Sequence, residues 1–443
     1  MKPSRRLLVL LGTLAALALL QGTLHALHVP LADRLASLTG ALLATLLLVA
    51  LLDACWLWRL PSPTLQRQLP GTLPLGRWSD VQLTLHHSLT QACRVQLFDG
   101  LPEGMDSQAM PQQVQLQAGR YSQFSYRLRP LRRGHFHFSS ADLLLPSPLG
   151  LWLARRRLDC PGQVRVYPDF ARLYGAELMA VDDWLSRLGV RQKPRRGLGL
   201  EFHQLREFRD GDSLRQIDWK ATARKGTPIA REYQDERDQQ ILFLLDCGRR
   251  MHSRDDELAH FDHALNACLL LSYVALRQGD AVGLCSFASS TPRYIAPNKG
   301  NAQLGVLLNG VYDLHSSLLP ADFNQAVEQV LLRQRRRALV VVISNLRDED
   351  DEELLGAMRR LNRRHRVLLA SLREPVLDRL RHKPVENLND ALGYCGALDY
   401  LNARARLHER LLAHGLPLLE ATPQQLGPQL VSRYLEWKKA GVF

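Results

Sequence analysis

Two long apolar runs near the amino-terminal end of the chain predict a pair of membrane-spanning helices. Residues 7–32 contain no Asp, Glu, Lys or Arg, and residues 35–52 repeat this over 18 positions. A helix of that length spans roughly 27 Å, about the thickness of the hydrocarbon core of a bilayer. We therefore expect transmembrane helices at about 7–27 and 35–52 within residues 1–59, joined by a short link around Val29 and Pro30.

The residues that flank these runs predict an orientation. Basic residues stand outside both runs, at Lys2, Arg5, Arg6, Arg59 and Arg67. Trp56 and Trp58 stand where aromatic residues would lie at the membrane interface. The positive-inside rule then places both ends of the hairpin and all of residues 60–443 in the cytoplasm of a bacterium, as a multi-pass protein of its inner membrane. A cleaved signal peptide is the alternative, because two arginines also precede a Leu- and Ala-rich run there. The second apolar run argues against it.

After the second apolar run the hydrophobic pattern takes a period of two. Between residues 78 and 168 apolar residues alternate with polar ones, as in Val81, Leu83 and Leu85, and Gly and Pro separate the runs. Short alternating runs of this kind are typical of antiparallel strands. We therefore expect a linker at residues 60–77, which are rich in Pro and Gly, and an antiparallel β-sandwich at residues 78–168.

From residue 240 continuous apolar runs alternate with helical periodicity. Buried strands are predicted at 240–246, 281–287, 337–344, 366–371 and 417–420. Helices are predicted at 258–278, 321–335, 350–363, 398–414 and 424–440. This alternation implies an α/β domain at residues 240–443 with a parallel sheet covered on both faces. Ligands of such sheets bind beyond the carboxyl ends of the strands, where Asp246, Ser286, Ser344 and Asn345 are expected.

Composition adds a strong positive charge to this picture. The chain has 57 Lys and Arg against 44 Asp and Glu, a net charge of +13. Such a balance favours an anionic partner. The seven cysteines are scattered without a metal-binding or disulfide spacing, which indicates a reducing compartment. No phosphate-cradling P-loop sequence is present, so the chain itself is not expected to be an ATPase.

The charged connecting region at residues 169–239 contains the most unusual stretch of the sequence, at residues 199–231. Its candidate partner-binding residues are Arg206, Asp210, Gly211, Asp212, Arg215, Asp218, Trp219, Lys220 and Arg224. Opposite charges interleaved with aromatic residues favour a fixed network of ion pairs. The alternative is a Mg²⁺-dependent hydrolase or nuclease centred on Asp210, Asp212, Asp218 and Lys220, in which carboxylates hold the metal and the lysine stabilises developing charge.

These residues resemble the signature of the domain of unknown function 58 family. The similarity includes Leu205-Arg206-Glu207-Phe208 and Arg215-Gln216-Ile217-Asp218-Trp219-Lys220, and it extends to Ser147-Pro148-Leu149-Gly150-Leu151, to Gly279-Asp280 and to Tyr434 with Lys438. The resemblance implies two membrane helices, a β-rich segment and a von Willebrand factor A-like (Rossmann-type) domain. It further implies a non-enzymatic adaptor or scaffold for a MoxR-type AAA+ ATPase and its client, in assembly or maturation of envelope complexes, without implying a nucleic acid partner.

The resemblance also raises the question of a metal-ion-dependent adhesion site, which many A-domains carry in an Asp-x-Ser-x-Ser loop. Asp246 matches the first acid of that loop, but Gly248 and Arg250 stand at both serine positions, and Asn345 replaces the later acid. Mg²⁺ needs hard oxygen ligands, so we expect a degenerate site and no cofactor. Arg249 or Arg250 is expected instead to pair with Asp246 or to receive a carboxylate from a partner.

Two arginine clusters suggest a second kind of binding. Arginines stand at positions 333, 335, 336 and 337, and again at 359, 360, 363, 364 and 366. One interpretation is a solvated helix face beside the negative end of the helix dipole. The other is a scaffold that uses the arginines to bind anionic membrane lipids.

Overall fold

The computed structural model describes residues 1–27, 32–89, 92–117, 119, 121–170, 196–197, 201–209, 213–214, 217–234, 239–255, 258–347 and 351–442. The chain forms two compact units, Met1–Tyr167 and Pro168–Phe443. The finer division into five segments stays a prediction.

The first unit begins with two apolar helices, α1 (Arg5–Ala26) and α2 (Ala32–Arg59). The hydroxyl of Ser4 caps α1 by accepting a hydrogen bond from the backbone N–H of Leu7 at 3.3 Å. Both helices are long and apolar enough to cross a membrane. The second helix continues past the predicted end at residue 52, through Asp53 and the two tryptophans to Arg59.

A β-sandwich completes this unit. Its strands are β1 (Lys2–Pro3), β2 (Thr64–Gln68), β3 (Thr72–Pro74), β4 (Ser79–His86), β5 (Cys93–Asp99), β6 (Met105–Gln108), β7 (Gln112–Leu116), β8 (Tyr121–Pro130), β9 (Gly134–Pro146) and β10 (Trp152–Tyr167). One sheet has the order β2-β4-β8-β6, and the other has the order β1-β10-β9-β5-β7 with β3 beside β10. All pairs are antiparallel except β3 with β10. Val81, Leu83 and Leu85 are buried, as the period of two predicts.

Residues 60–77, which were expected to be a linker, contain two strands. Strand β2 pairs with β4, strand β3 pairs with β10, and Leu65 and Leu73 are buried in the sandwich. Long-range pairing overrode the local Pro and Gly content of this stretch. Arg67, expected at the membrane flank, is instead buried beside Asp99.

Arg67 and Asp99 form an ion pair between the two sheets of the sandwich. The guanidinium donates from Nε to Asp99 Oδ2 at 2.9 Å, and Tyr126 donates its hydroxyl to the same oxygen at 2.6 Å. Arg67 also donates to the carbonyl of Cys160 and lies over the ring of Phe138. Because both charges are fully buried, removing one partner alone would leave an uncompensated charge in the core.

The second unit contains a small antiparallel sheet and a six-stranded mixed sheet. The small sheet has the order β11-β13-β12 and contains β11 (Arg196–Gly197), β12 (Glu201–Glu207) and β13 (Ile229–Gln234), with helix α3 (Trp219–Lys225) between the last two. The strands of the large sheet are β14 (Gln240–Asp246), β17 (Ala281–Phe287), β18 (Tyr294–Asn298), β19 (Leu339–Ser344), β20 (Arg366–Leu372) and β21 (Leu418–Ala421). A two-stranded ribbon contains β15 (Arg254–Asp255) and β16 (Leu258–Ala259).

The order of the large sheet is β18-β17-β14-β19-β20-β21, parallel throughout except for the edge strand β18. The helices that accompany it are α4 (His260–Arg277), α5 (Ala302–Val311), α6 (Phe323–Arg333), α7 (Asp351–Arg364), α8 (Pro375–His382), α9 (Leu388–Ala413) and α10 (Leu426–Ala440). The side chains of β14 alternate between two cores: Ile241, Phe243 and Leu245 face one, and Leu242 and Leu244 face the other. The sheet is therefore covered on both faces, as predicted.

Some elements of this unit were not predicted. Helices α5 and α8 and the edge strand β18 lie in stretches where no element was expected, and α9 begins at Leu388 instead of residue 398. Glycines and prolines interrupt the periodicity there, and contacts made far along the chain determine the structure.

Candidate functional site

The carboxyl edge of the large sheet brings Asp246 and Ser344 together. The chain crosses over at β14, so the ends of β14 and β19 flank the position where ligands of such sheets bind. Ser344 donates its hydroxyl to Asp246 Oδ2 at 2.6 Å, and the N–H of Gly248 donates to Oδ1 at 2.7 Å. Burial raises the pKa of Asp246, and this effect is opposed by the two hydrogen bonds and by the charge of Arg250. Asp246 is completely buried, so it offers no surface to a ligand.

A loop from residues 317–319 closes the space above Asp246. Ser317 donates its N–H to the carbonyl of Cys247 at 2.6 Å, and the N–H of Arg249 donates to the carbonyl of Leu319 at 3.0 Å. A Cβ atom placed on Gly248 would lie 2.8 Å from the carbonyl oxygen of Leu319 and 3.0 Å from Asp246 Oδ1. A serine ligand at position 248 has no room in this arrangement. Sequence reasoning missed the closing loop, because no threonine of an adhesion site was recognisable in the chain.

Asn345 faces a buried network of charges. Its amide donates to Glu374, and its oxygen accepts from Arg404 Nη1 at 3.3 Å. Arg404 also donates to Glu374 at 3.3 Å and to the hydroxyl of Ser371 at 2.8 Å, and its Nε lies 3.0 Å from a carboxylate oxygen of Glu420. Sequence reasoning missed Glu374 and Arg404, because they stand on separate elements with no motif around them.

The donors at this edge do not fit a Mg²⁺ site. Asp246 already accepts two hydrogen bonds, Gly248 contributes no oxygen, and the oxygen of Asn345 is taken by Arg404. Arg250 is buried nearby and brings a positive charge. Among the residues that the structure describes, no group of three His, Cys, Asp or Glu side chains is placed to hold a metal ion. The role of Asp246 as a metal ligand stays a prediction that the donors described at this edge do not favour.

Asp218 organises the signature segment. Its Oδ1 accepts the backbone N–H groups of Lys220 and Ala221, both at 3.0 Å, and so caps helix α3. Its Oδ2 accepts from Arg231 Nε at 2.9 Å, which ties the helix to strand β13. The hydrogen bond from Ala221 and the Arg231 guanidinium lower the pKa of Asp218. Both oxygens therefore have structural partners, whereas a nuclease would need this carboxylate for a metal.

Helix α3 presents its first residue to solvent. The side chain of Trp219 is 72% exposed, and Lys220 and Arg224 are also exposed. Arg206 is half-buried on β12 and donates from Nη1 to the carbonyl of Glu207 at 3.0 Å. The other predicted signature residues lie outside the described residues, and they are Asp210, Gly211, Asp212 and Arg215.

Asp280 and the pair Tyr434 and Lys438, which belong to two other stretches of the family resemblance, are in contact although they are far apart in sequence. Tyr434 donates its hydroxyl to Asp280 Oδ2 at 2.5 Å, and Lys438 Nζ donates to the same oxygen at 2.8 Å. Burial and the neighbouring Asp280 raise the pKa of Tyr434. This contact fastens α10 to the beginning of β17, so these residues hold the α/β core together.

The stretch from Ser147 to Leu151 forms a turn that binds Asp53, an acid at the end of the second apolar run. Ser147 donates its hydroxyl to Asp53 Oδ2 at 2.5 Å. The backbone N–H groups of Leu149 and Leu151 donate to Asp53 at 3.0 and 3.3 Å. We call this arrangement the Asp53 latch. Sequence reasoning missed it, although an acid directly after 18 uncharged residues is a usable signal.

Further contacts around the latch join the helices to the sandwich. Ser4 donates its hydroxyl to the carbonyl of Gly150 at 2.6 Å, and Trp152 Nε1 donates to the carbonyl of Ala50 at 2.8 Å. Leu7, Ala50 and Leu151 form a small buried apolar cluster beneath them. The apolar helices and the β-sandwich are therefore connected through specific side-chain contacts as well as through the chain.

Comparison with known proteins confirms the resemblance seen in the sequence. Residues 204–392 match the family described as "Protein of unknown function DUF58". A curated relative, the "Uncharacterized protein YeaD" of Bacillus subtilis (strain 168), is 25% identical over 238 residues, which cover 52% of this chain and 57% of the relative. The chain thus matches a little over half of that relative's length. Neither description names an enzymatic activity.

Solved structures add little. The conserved hypothetical protein BatB from Bacteroides thetaiotaomicron is 11% identical, with a TM-score of 0.28 over 45% of this chain and 97% of that chain. Salmonella alpha-2-macroglobulin reacted with methylamine is 18% identical, with a TM-score of 0.19 over 24% of this chain and 7% of that chain. At these scores neither structure bears on the fold or the function.

Proposed function

We propose that this protein is a non-enzymatic, membrane-anchored adaptor that binds protein partners. The observation that carries the proposal is the contrast within the second unit. The carboxyl edge of the sheet is closed by its own side chains around Asp246 and Asn345, whereas Trp219 stands exposed on a helix that Asp218 and Arg231 hold in place. A rigid element that presents an aromatic residue beside basic ones suits a protein interface.

The anchor of this adaptor is the helical hairpin α1–α2. We infer that it crosses the inner membrane of a bacterium twice and that both of its ends, with the β-sandwich and the α/β unit, lie in the cytoplasm. Lys2, Arg5, Arg6 and Arg59 stand at the ends of the helices, which supports this orientation. The Asp53 latch then keeps the sandwich at the membrane surface.

The partner is inferred from the family resemblance. We infer that the α/β unit is a von Willebrand A-like domain and that the partner is a MoxR-type AAA+ ATPase, with a client in the assembly or maturation of envelope complexes. The first strand of the unit, β14, lies in the interior of the sheet, and Asp246 stands at its carboxyl end. This sheet order is compatible with that domain type. The closed edge argues for an adaptor whose contacts lie elsewhere on the unit.

Crosslinking in the native membrane tests the proposal. The full-length chain is crosslinked with and without ATP, and captured proteins are identified for the wild type and for Trp219→Ala. We expect a nucleotide-sensitive MoxR-type ATPase in the wild type and at least tenfold less of it in Trp219→Ala. Leu388→Ala, at a leucine that is 75% exposed on α9, is the matched control and is expected to capture as the wild type does.

Two results would contradict the proposal. If no AAA+ ATPase is captured under either nucleotide condition, the adaptor function is wrong. If the ATPase is captured equally by wild type and Trp219→Ala, with both proteins present at the same level in the membrane, the contact does not involve helix α3.

A further inference from the structure

The two arginine clusters of the sequence meet at one edge of the large sheet. Helices α6 and α7 pack against each other and both end there. Arg366 opens β20, pairs with Leu339 at the start of β19, and donates its N–H to the carbonyl of Ala338 at 2.9 Å. We call the arginines of both clusters together the arginine surface. They are Arg333, Arg335, Arg336, Arg337, Arg359, Arg360, Arg363, Arg364 and Arg366. The surface lies at the amino ends of the strands, opposite the edge that contains Asp246.

This surface concentrates positive charge that the described residues do not neutralise. All nine arginines except Arg366 are exposed, and none of the nine forms a salt bridge with any residue in the described part of the chain. The helix dipoles account for arginines in the last turns of α6 and α7. They do not account for Arg335, Arg336 and Arg337, which follow the end of α6.

A buried histidine lies under these charges. His365 is 1% exposed, and neither of its ring nitrogens has a hydrogen-bond partner within the described residues. Burial lowers its pKa, and the charges of Arg364 and Arg337 lower it further. Arginines from both clusters thus act on the same imidazole, which places the two clusters side by side.

We propose that the arginine surface binds the headgroups of anionic phospholipids. Guanidinium groups bind phosphate oxygens through paired hydrogen bonds. Leu332 is 71% exposed next to Arg333, which adds an apolar contact of the kind that interfacial membrane binding uses. The two aromatic rings beside this surface are already in contact with its arginines, Tyr294 with Arg333 and Trp437 with Arg366, and both rings are half-buried, which disfavours stacking of a nucleic acid base.

The chain itself links this surface to two helices that are long and apolar enough to cross a membrane. The apolar helices of the first unit are covalently linked to it, so binding to lipid has the advantage of an intramolecular contact; in this respect the inference rests on the proposed membrane anchoring. Lipid binding would go beyond the adaptor function, because it would engage the second unit with the membrane independently of any protein partner.

Capture of vesicles in trans tests the inference on the full-length chain. The protein is reconstituted into phosphatidylcholine vesicles on beads, and dye-filled vesicles of phosphatidylcholine alone or mixed with phosphatidylglycerol are added. We expect capture of the phosphatidylglycerol vesicles only, and weaker capture as the salt concentration rises. Each basic residue near an anionic surface contributes roughly fivefold to binding.

The matched variants separate this surface from general positive charge. The triple variant Arg335→Gln, Arg336→Gln, Arg363→Gln removes three exposed arginines of the surface and should lower the binding constant about a hundredfold. The control Arg379→Gln, Arg381→Gln, Arg406→Gln removes three exposed arginines elsewhere in the same unit and should bind as the wild type does. Circular dichroism checks that both variants are folded.

Several outcomes would overturn the inference. Equal capture of both vesicle types would show that headgroup charge is not recognised. Equal effects of the two triple variants would show that no defined surface is involved. Absence of capture would leave an acidic protein as the better partner for these arginines. The assay contains no partner protein, so its outcome does not depend on the adaptor function, and flotation with the phosphatidylcholine vesicles reports separately on the membrane anchor.

Discussion

Gly248 explains why the edge of the sheet is closed. It occupies the position where an adhesion-type loop would carry a serine, and the carbonyl of Leu319 lies where that side chain would stand. The backbone here has an ordinary φ of −76°, so the glycine is required by space and not by conformation. Its role is to let the loop at residues 317–319 cover Asp246.

Replacing Gly248 by serine should destabilise the protein. Its Cβ would overpack the closed loop, at a cost of about 1–3 kcal/mol. Gly356→Ser on helix α7 is the control, because nothing lies within 4 Å of its added Cβ. Urea unfolding of the full-length chain in detergent, followed by circular dichroism, measures the difference. If both serine variants had the same midpoint, the close approach of Leu319 to Gly248 would be wrong.

Asp246 should make the stability of the second unit depend on pH. Its pKa is raised in the folded protein, so the folded state binds the proton more tightly than the unfolded state does. The contribution of this group to stability is therefore fully present below its unfolded pKa of about 3.9 and is lost as the pH rises through the folded value. The stability of Asp246→Asn relative to wild type should increase over that pH interval. The same unfolding experiment, repeated across that interval, checks this, and a constant difference would contradict it.

At the scale of elements, the connection between the helical hairpin and the β-sandwich is the main finding of the first unit. Asp53 is the acid that ends the apolar part of α2, and the turn after β9 supplies three donors to it. If α2 crosses a membrane, as proposed, a carboxylate at this position would be costly without such partners. The turn therefore stabilises the end of the helix while the helix orders the turn.

Substitution of Asp53 by leucine should release this turn. The donors of Ser147, Leu149 and Leu151 would lose their acceptor, at a cost of about 1–3 kcal/mol for each buried group left unsatisfied, which applies to Ser147 and Leu151. Hydrogen exchange of the amides at residues 149–153, measured on the full-length chain in lipid nanodiscs, should become at least tenfold faster. Leu52→Ala, at an exposed leucine of the same helix, is the control. Unchanged exchange in Asp53→Leu would show that the latch does not hold the turn.

The sequence predicted elements best where local pattern and tertiary structure agree. The strand predicted from the alternation of Val81, Leu83 and Leu85 and the strand predicted from the apolar run of β14 were both correct. Burial on one face produces the first pattern, and burial on two faces produces the second. Helix α5 was missed because its sequence contains two glycines and no polar face. Strand β2 was missed because its structure depends on pairing with β4 and on the ion pair of Arg67 with Asp99.

For the whole molecule, the candidate site shows where sequence reasoning ends. The positions of Asp246, Ser344 and Asn345 at strand ends follow from the strand pattern, and the structure places them there. Their partners do not follow from it, since Glu374 and Arg404 come from other elements and Asp280 meets Tyr434 across 154 positions. Several of the residues that carry the family resemblance hold elements together. Asp218, for example, accepts a hydrogen bond from Arg231 and so ties helix α3 to strand β13.

The Asp53 latch has a consequence for how such proteins can evolve. The acid of the helix and the serine of the turn are 94 positions apart, yet each satisfies the other. A recombination event that exchanged only the helical hairpin, or only the β-sandwich, would separate these two residues and leave a carboxylate or its donors without a partner. Related chains are therefore expected to inherit the hairpin and the sandwich as one module, with positions 53 and 147 changing together.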